Sequence, residues 1–541
     1  MTWSVVVCVQ CVAVAWSDLR KIVFLSKETR SAPKVAMSRL PHHVDAVEPI
    51  AGPVPVSLST DPDTPERHAH AQDVLCRFRW DFYACLDARA DVLFELADVV
   101  ACAAGPVLSL PELSLEPEHR RGHGGLYDAL NAGRIEFAKI RRTVSGLPLP
   151  RIGERLVLGV DVTPWLRPDA ETSPDRLFCH VHGRAKGTSQ MIPGWPYSIV
   201  AALETGRTSW TAVLDAVRLG PDDDSTAVTA DQLRDVVERL ITAGHWTPGD
   251  PPIEIVMDSG YDVTRLAFVL ADLPVVLTGR LRSDRVMLRP LPPREPATMG
   301  RPPRHGGVFA LSRPDSWPAP DHATTTVTTR YGTATASGWG RMHPRLTRRG
   351  AWLDHPEDQE LPIIEGTLIR LQVDHLPGDR APKPLWLWTS RPQATAEQGD
   401  LAWQAFLRRF DLEHTFRFFK QQLGWTAPRL RDPAAADRWT WLIIVVHTQL
   451  RLARGITSDL RRPWERPILP ERLTPTRVRR GFRHLRAKIA HPAGAPKPTS
   501  PGPGRPPGTR NRHPAPRYDV GKTTKRAANL EQHSQMRTTT G

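Results

Sequence analysis

The chain has 541 residues, too many for one ordinary hydrophobic core, so its length predicts two or more domains. Six cysteines in this length are not typical of a disulfide framework, which excludes the small disulfide-stabilised class. The net charge of +14 is concentrated at one end: residues 451–541 hold 21 Lys and Arg against 5 Asp and Glu, whereas the remainder holds 51 and 53. A basic segment of this kind is typical of contact with nucleic-acid phosphates, and a charged tail that only aids solubility is the alternative for part of it.

Residues 1–66 are interpreted as a disordered or artefactual extension followed by a linker. Their apolar stretch, residues 5–16, is short for a membrane span and has no basic region before it, as a signal peptide would have. No other run approaches transmembrane length, so we expect a cytoplasmic protein without a membrane partner.

Residues 67–150 carry apolar side chains at helical spacing and predict a small helical N-terminal domain. The segment also contains basic residues: Arg120, Arg121, Arg134, Lys139, Arg141 and Arg142.

Residues 151–280 alternate between strand-like and helical patterns, which predicts a mixed α/β sheet. Two apolar, β-branched runs end in aspartates, Asp161 and Asp258, and the second continues as Ser259, Gly260 and Tyr261. Ligands of open α/β sheets bind beyond the carboxyl ends of strands, so both aspartates are candidate site residues. A lone aspartate at a strand end is more often a turn or helix-capping residue.

Residues 281–395 begin with a Pro- and Arg-rich stretch and continue with β-rich runs, which predicts a β-rich insertion. It separates Asp258 from the next candidate acid, Glu413, by 155 positions, far more than a single strand-to-helix connection needs.

Residues 396–455 are expected to form two helices, of which residues 399–425 are the more informative. Phe406, Arg409, Glu413 and Lys420 stand at offsets 0, 3, 7 and 14. At about 100° per residue these four side chains share one narrow stripe of a helix beside an apolar face. An ordinary amphipathic helix with a charged flank remains the alternative reading of this stretch.

Residues 456–541 are basic and rich in Pro, Gly and Arg, and we expect them to be mostly disordered. Arg505, within Gly504-Arg505-Pro506, is similar to the core of an AT-hook, in which an extended arginine enters a narrow minor groove. Chance occurrence is the alternative in so Pro- and Arg-rich a chain.

The spacing from Phe406 to Lys420 resembles the Tyr-Arg-Glu-Lys (YREK) signature of a branch of bacterial insertion-sequence DDE transposases, with Phe406 in place of the tyrosine. Asp258-Ser259-Gly260-Tyr261 is similar to the Asp-x-Gly-Tyr segment of that family, and Asp161 precedes it in the family order. The resemblance covers roughly residues 70–455. It implies an RNase H-like mixed-sheet catalytic core, interrupted by the insertion, with a helical N-terminal domain that binds the element's ends.

The resemblance implies that Asp161, Asp258 and Glu413 are the catalytic acids and ligands of two Mg²⁺ ions, with Mn²⁺ able to substitute. Mg²⁺ prefers carboxylate and water oxygens, and two such ions can clamp the attacking and leaving oxygens of a phosphodiester. Tyr261, Phe406, Arg409, Lys420 and Arg505 are the expected DNA-binding residues. For Arg409 and Lys420, neutralising the acids is an alternative role that does not exclude DNA contact.

The expected function is Mg²⁺-dependent DNA cleavage and strand transfer at terminal inverted repeats, by a homodimer that also binds target DNA. Two alternatives remain: a metal-dependent nuclease on the same fold without strand transfer, and a decayed DNA-binding transposase remnant. Phe406 leaves the last one open, because it cannot replace a tyrosine hydroxyl that holds a phosphate, although it can replace a ring that packs.

Overall fold

A computed structural model describes residues 65–122, 124–182, 189–205, 208–291, 303–329, 331–353, 355–376, 382–497, 508 and 513–521. The helices are α1 (Pro65–Tyr83), α2 (Ala90–Cys102), α3 (Leu110–Leu113), α4 (Gly125–Ala132), α5 (Phe137–Ser145), α6 (Ser225–Thr242), α7 (Val263–Val269), α8 (Ala396–Arg408), α9 (Phe410–Gln421), α10 (Pro433–Ala453) and α11 (Pro475–Arg486). The strands are β1 (Leu86–Ala88), β2 (Arg134–Ile135), β3 (Val157–Leu166), β4 (Leu177–His182), β5 (Ser189–Leu203), β6 (Thr211–Arg218), β7 (Ile253–Met257), β8 (Val275–Leu281), β9 (Val286–Leu288), β10 (Val308–Ala310), β11 (His322–Thr328), β12 (Gly332–Met342), β13 (Gly366–Val373) and β14 (Leu385–Thr389).

One mixed sheet organises the molecule, with strand order β11-β12-β13-β14-β8-β7-β3-β5-β4 and β6 paired to β5 as well. Strands β3, β7 and β8 are mutually parallel, whereas β3, β5 and β6 are antiparallel. Helix α6 makes the crossover from β6 to β7, and α7 connects β7 to β8. The order β6-β5-β3-β7-β8 confirms the predicted α/β class and is consistent with an RNase H-like core.

The β-rich insertion extends this sheet instead of forming a separate one. Strand β14 pairs antiparallel with β8, and β13, β12 and β11 follow in sequence outward. Only the short hairpin of β9 and β10 stands apart from the large sheet in this segment, among the described residues. Aromatic rings fill the space between that hairpin and the sheet: Phe309, Trp317, Trp339 and Trp386.

The N-terminal helices share one hydrophobic core with the C-terminal helices α10 and α11. Helix α10 is buried almost all round, as expected for a helix that is apolar on every face. A buried ion pair reinforces the contact, with Arg79 of α1 2.6 Å from Asp98 of α2, and Arg486 of α11 3.1 Å from the same carboxylate. The predicted helical segment 67–150 therefore exists, but it does not have a core of its own.

Helix α11 lies in the segment that we expected to be mostly disordered, and here the structure departs from the prediction. Val478 and Phe482 are fully buried, and Ile489 and Ala493 continue the contact with the N-terminal helices. The basic composition misled the prediction, because only a few apolar residues dock this strongly amphipathic helix. The expected AT-hook at Arg505 lies outside the described residues.

No helix in the described part of the chain is long and apolar enough to cross a membrane.

Candidate active site

Asp161 and Asp258 stand side by side on neighbouring parallel strands. Val160 of β3 is in register with Met257 of β7, and the two aspartates are the next residues along. Adjacent residues in register point to the same face of a sheet, so both carboxyl groups emerge on one side. Asp258 is buried with 6 % exposure.

Helices α8 and α9 cover that face of the sheet. A capping box begins α8, in which Thr395 and Gln398 satisfy each other's backbone N–H groups. The helix pair approaches β3 closely where Gly159 faces Leu412. The sequence predicts one helix here, but the structure has two, which meet at Arg409. The backbone N–H groups of Arg409 and Leu412 donate to the carbonyls three residues earlier, those of Phe406 and Arg409. Short i to i−3 stretches inside helices often mark functional positions.

Three carboxyl groups meet at the guanidinium of Arg409. Its Nη1 donates to Oδ2 of Asp161 at 2.7 Å. Its Nη2 lies 3.6 Å from Oε1 of Glu413 and 3.9 Å from Oδ2 of Asp258. The three acids that are expected to act together, although far apart in sequence, thus converge on one cation that is 1 % exposed.

Burial dominates the electrostatics of this cluster. It raises the pKa of Glu413 to about 8 and that of Asp161 to about 6; Arg409 acts against both shifts, and the carboxylate of Asp258 adds to them. Burial tends to lower the pKa of Arg409, but the facing carboxylates, Asp161 first, outweigh it and raise that pKa. With all three carboxyl groups ionised the site would hold more negative charge than one guanidinium compensates, and the raised pKa of Glu413 reflects this together with its burial.

Several buried polar atoms of the cluster have no hydrogen-bond partner in the structure. They include Oδ1 of Asp258, Oε1 of Glu413 and Nη2 of Arg409. Buried carboxylate oxygens without a hydrogen bond suit a hard divalent cation, which prefers an all-oxygen ligand set. In the part of the chain that the structure describes, no three His, Cys, Asp or Glu side chains yet form a group that could hold a metal ion. In this conformation Arg409 supplies the compensating charge instead.

Arg280 is a site residue that the sequence reasoning missed. Its Nη1 lies 3.9 Å from Oδ1 of Asp258, and its side chain is 28 % exposed. The sequence does carry a sign of it, because Arg280 interrupts the largely apolar run of β8. In the structure β8 lies beside β7, the strand that Asp258 follows. Only the strand order brings it to the site.

The expected DNA-binding residues Phe406 and Tyr261 line the site from inside. Phe406 is 2 % exposed and packs edge-on against Phe410, 6.4 Å between ring centroids, with the guanidinium of Arg409 over its face at 5.6 Å. The hydroxyl of Tyr261 is buried, and burial, followed by the negative charge of Asp161, raises its pKa well above the usual value. In this conformation Phe406 acts through its ring.

Lys420, expected at a phosphate, is also turned inward. Burial lowers its pKa to about 8, and its ammonium lies 5.6 Å from the ring centroid of Trp425. Within the described ranges Lys420 takes part in no salt bridge, although the negative charge of Asp161 is close enough to favour its protonated form. DNA contact by Phe406, Tyr261, Arg409 and Lys420 therefore stays a prediction, because in this conformation all four are packed into the protein.

Gly159 sets the distance between β3 and α9, which carries Glu413. A Cβ atom at Gly159 would come within 2.9 Å of Leu412 and 3.1 Å of Leu203. We expect Gly159→Ala to destabilise the protein by about 1–3 kcal/mol and to lower activity at the site, because the added methyl pushes α9 outward. Urea unfolding of the variant beside Gly455→Ala, where nothing lies within 4 Å, measures the effect; equal stability of the two would contradict it.

Residues 81–345 match the model of a family described as DDE superfamily endonuclease. The matched segment includes Asp161 and Asp258 and ends before α8, so Glu413 lies outside it. No curated protein matches the chain. This match supports a DDE-type endonuclease or transposase.

Proposed function

We propose that this chain, which matches the model of the DDE superfamily endonucleases over residues 81–345, is the transposase of an insertion sequence that cuts and joins DNA ends. The observation that carries the proposal is the convergence of Asp161, Asp258 and Glu413 on one buried site. They come from two parallel strands and a helix beyond the insertion, the order that the resemblance to the YREK branch implies.

The three carboxylates are the residues that would hold the divalent ions, two Mg²⁺ or, in substitution, Mn²⁺. When bound, such ions activate an oxygen nucleophile and stabilise the leaving oxygen of the phosphodiester. The chain's own residues prepare that site. β3 and β7 fix the two aspartates in register, α9 brings Glu413 to them, and Arg409 holds the carboxyl groups together by its contacts with all three.

The packed residues around the acids give the site a rigid, water-poor wall. Phe406 and Phe410 hold the guanidinium of Arg409 between their rings, at 5.6 and 5.2 Å from the ring centroids. Electrostatic interactions are stronger in such a buried site than in water. A phenylalanine at position 406 suffices for this packing role, which weakens the alternative of a decayed remnant.

The proposed partners are the terminal inverted repeats of the element and a target DNA, bound by a homodimer that pairs the two ends. Basic residues of the N-terminal helices and the C-terminal segment are the proposed source of phosphate contacts. A nuclease without strand transfer is the second candidate, since it would need the same three acids.

The test uses a DNA fragment that contains the coding region and its flanks, together with a supercoiled target plasmid. We expect Mg²⁺-dependent cleavage at inverted repeats and covalent joining of the ends to the plasmid, both lost when EDTA removes the metal. Asp258→Asn protein, purified in the same way, controls for contaminating nucleases.

The products separate the two candidates. Joined products with a short target duplication, read by sequencing, establish transposition. Cleavage without joining leaves the nuclease, and DNA binding without metal-dependent cleavage leaves the decayed remnant.

A further inference from the structure

The loop between α10 and α11 presents an unusually exposed tryptophan. Trp464 is 74 % exposed, whereas Trp165, Trp195, Trp210, Trp388, Trp425 and Trp439 are fully buried. Three arginines of the same loop, Arg461, Arg462 and Arg466, are also exposed. A large aromatic ring that is exposed to solvent among cations indicates a binding site, because exposed apolar surface of this kind is typical of interaction surfaces.

Two internal ion pairs brace this loop on α11. Both Nη atoms of Arg480 donate to the carboxylate of Glu465, at 2.7 and 2.8 Å. The backbone N–H of Arg462 donates to the same carboxylate at 2.8 Å. The charge of Glu465 is therefore compensated by Arg480, and these contacts fix the position of Trp464, the neighbour of Glu465 in the chain.

The second brace neutralises Asp459, the other acid of residues 459–466. Arg477 of α11 forms an ion pair with Asp459 and also donates to the backbone carbonyl of Arg466 at 3.1 and 3.2 Å. Across the described ranges, by contrast, the guanidinium groups of Arg461, Arg462 and Arg466 form no salt bridge. Residues 459–466 thus have both of their acids neutralised by arginines of α11, whereas their three exposed arginines keep the outward face cationic.

The outward face combines a stacking surface with free positive charge. The guanidinium of Arg462 lies 5.6 Å from the ring centroid of Trp464, so cation and ring are presented together. Nucleobases stack on exposed aromatic rings, and phosphates accept from guanidinium groups, whereas a protein partner would have to match three uncompensated cations.

We propose that the loop 459–466 is a DNA-binding surface, on which Trp464 stacks against an unpaired base and the three arginines contact the flanking phosphates. The proposal rests on the proposed function for the presence of DNA, and it adds a contact site outside the three-acid cluster. The preferred ligand is single-stranded or end-frayed DNA, because a base must leave its duplex stack to reach the ring.

The first test compares Trp464→Ala with Trp464→Phe and with Trp80→Ala, a matched control at a tryptophan that is 53 % exposed on α1. Affinity is measured by fluorescence anisotropy with a single-stranded oligonucleotide and with a blunt duplex. We expect Trp464→Ala to weaken single-strand binding on the order of tenfold or more, and Trp464→Phe and Trp80→Ala to change it by less than about threefold.

The second test measures the salt dependence of binding in the variant Arg461→Gln, Arg462→Gln, Arg466→Gln. Each lost phosphate contact should reduce the log–log slope by about 0.7 for single strands, whereas Trp464→Ala should leave the slope unchanged. An effect of Trp464→Ala no larger than that of Trp80→Ala, or an unchanged slope in the triple variant, would overturn the inference. If these variants lost self-association while their DNA binding stayed intact, the loop would be a contact between copies of the chain, and the inference would be overturned as well.

The two proposals fail in different ways. If the wild-type protein binds no DNA, the proposed function is wrong, and so is the inference about the loop. If the wild-type protein binds and cleaves DNA while all loop variants bind like it, only the loop is excluded.

Discussion

Glu413→Gln is expected to abolish Mg²⁺-dependent DNA cleavage while leaving DNA binding largely intact. Glutamine keeps the size of the side chain but cannot supply the negative charge that helps to hold a divalent ion. Metal-ion catalysis contributes several kcal/mol of transition-state stabilisation, so a loss on the order of 10³-fold or more in the cleavage rate is expected.

The fold should tolerate this change well. Burial raises the pKa of Glu413 to about 8, so at neutral pH this carboxyl has to take up a proton when the protein folds, and glutamine removes that cost. The thermal unfolding midpoint of the variant in EDTA should therefore equal or exceed that of the wild type. A loss of activity caused by misfolding would show as a lower midpoint.

The assay pairs nicking of the element's terminal DNA with a gel-shift on the same fragment. Glu397→Gln is the matched control, an exposed glutamate on the preceding helix α8 that should leave both readouts unchanged. Retained nicking by Glu413→Gln would exclude Glu413 as the third acid and direct attention to Asp411, on the same helix.

The sequence predicted the strands of the core best where apolar, β-branched runs end at clear turns. Strands at 177–182 and 253–257 lie in the segment predicted to alternate strands and helices, and the strand at 385–389 lies in the predicted β-rich insertion. These runs are buried in the sheet, and their continuous apolar composition is enough to predict a strand from the local sequence alone.

Strands β6 and β12 were not predicted, because their formation depends on tertiary partners. Asp215 interrupts the apolar run of β6, and only the ion pairs that it makes with Arg141 and Arg239 make its burial possible. Strand β12 is rich in Gly, Ala and Ser, and it exists because β11 and β13 pair with it on both sides.

The candidate site shows a similar division. Periodicity placed Arg409 and Glu413 on one stripe, but it could not show which way that stripe faces. The structure turns it inward, because the register of β3 and β7 puts two carboxyl groups under α9 and these attract the guanidinium. The motif therefore located the residues, whereas their burial follows from the fold.

Arg409→Met is expected to be the most destabilising single change at the site, because it leaves three buried carboxyl groups without their common cation. Removing one partner of a buried ion pair costs about 3–5 kcal/mol, and methionine preserves much of the arginine stem's packing. In EDTA, urea unfolding should show a loss of this size. Arg280→Met is the matched control: this arginine is 28 % exposed and 3.9 Å from Asp258, so a loss of about 0–1 kcal/mol is expected.

Divalent cations should partly restore the stability of Arg409→Met, since they bind the same carboxylates and supply the missing positive charge. The rise in unfolding midpoint on addition of Mg²⁺, or of Ca²⁺ as a probe of binding alone, should exceed the rise seen for the wild type, in which Arg409 already occupies those carboxyl groups. Combining Arg409→Met with Glu413→Gln should reduce both the loss and the recovery, because one of the three carboxyl groups is gone. If Arg409→Met is as stable as Arg280→Met in EDTA and does not respond to the cations, the three acids do not form one electrostatic unit, and the site would have to be sought elsewhere on the sheet.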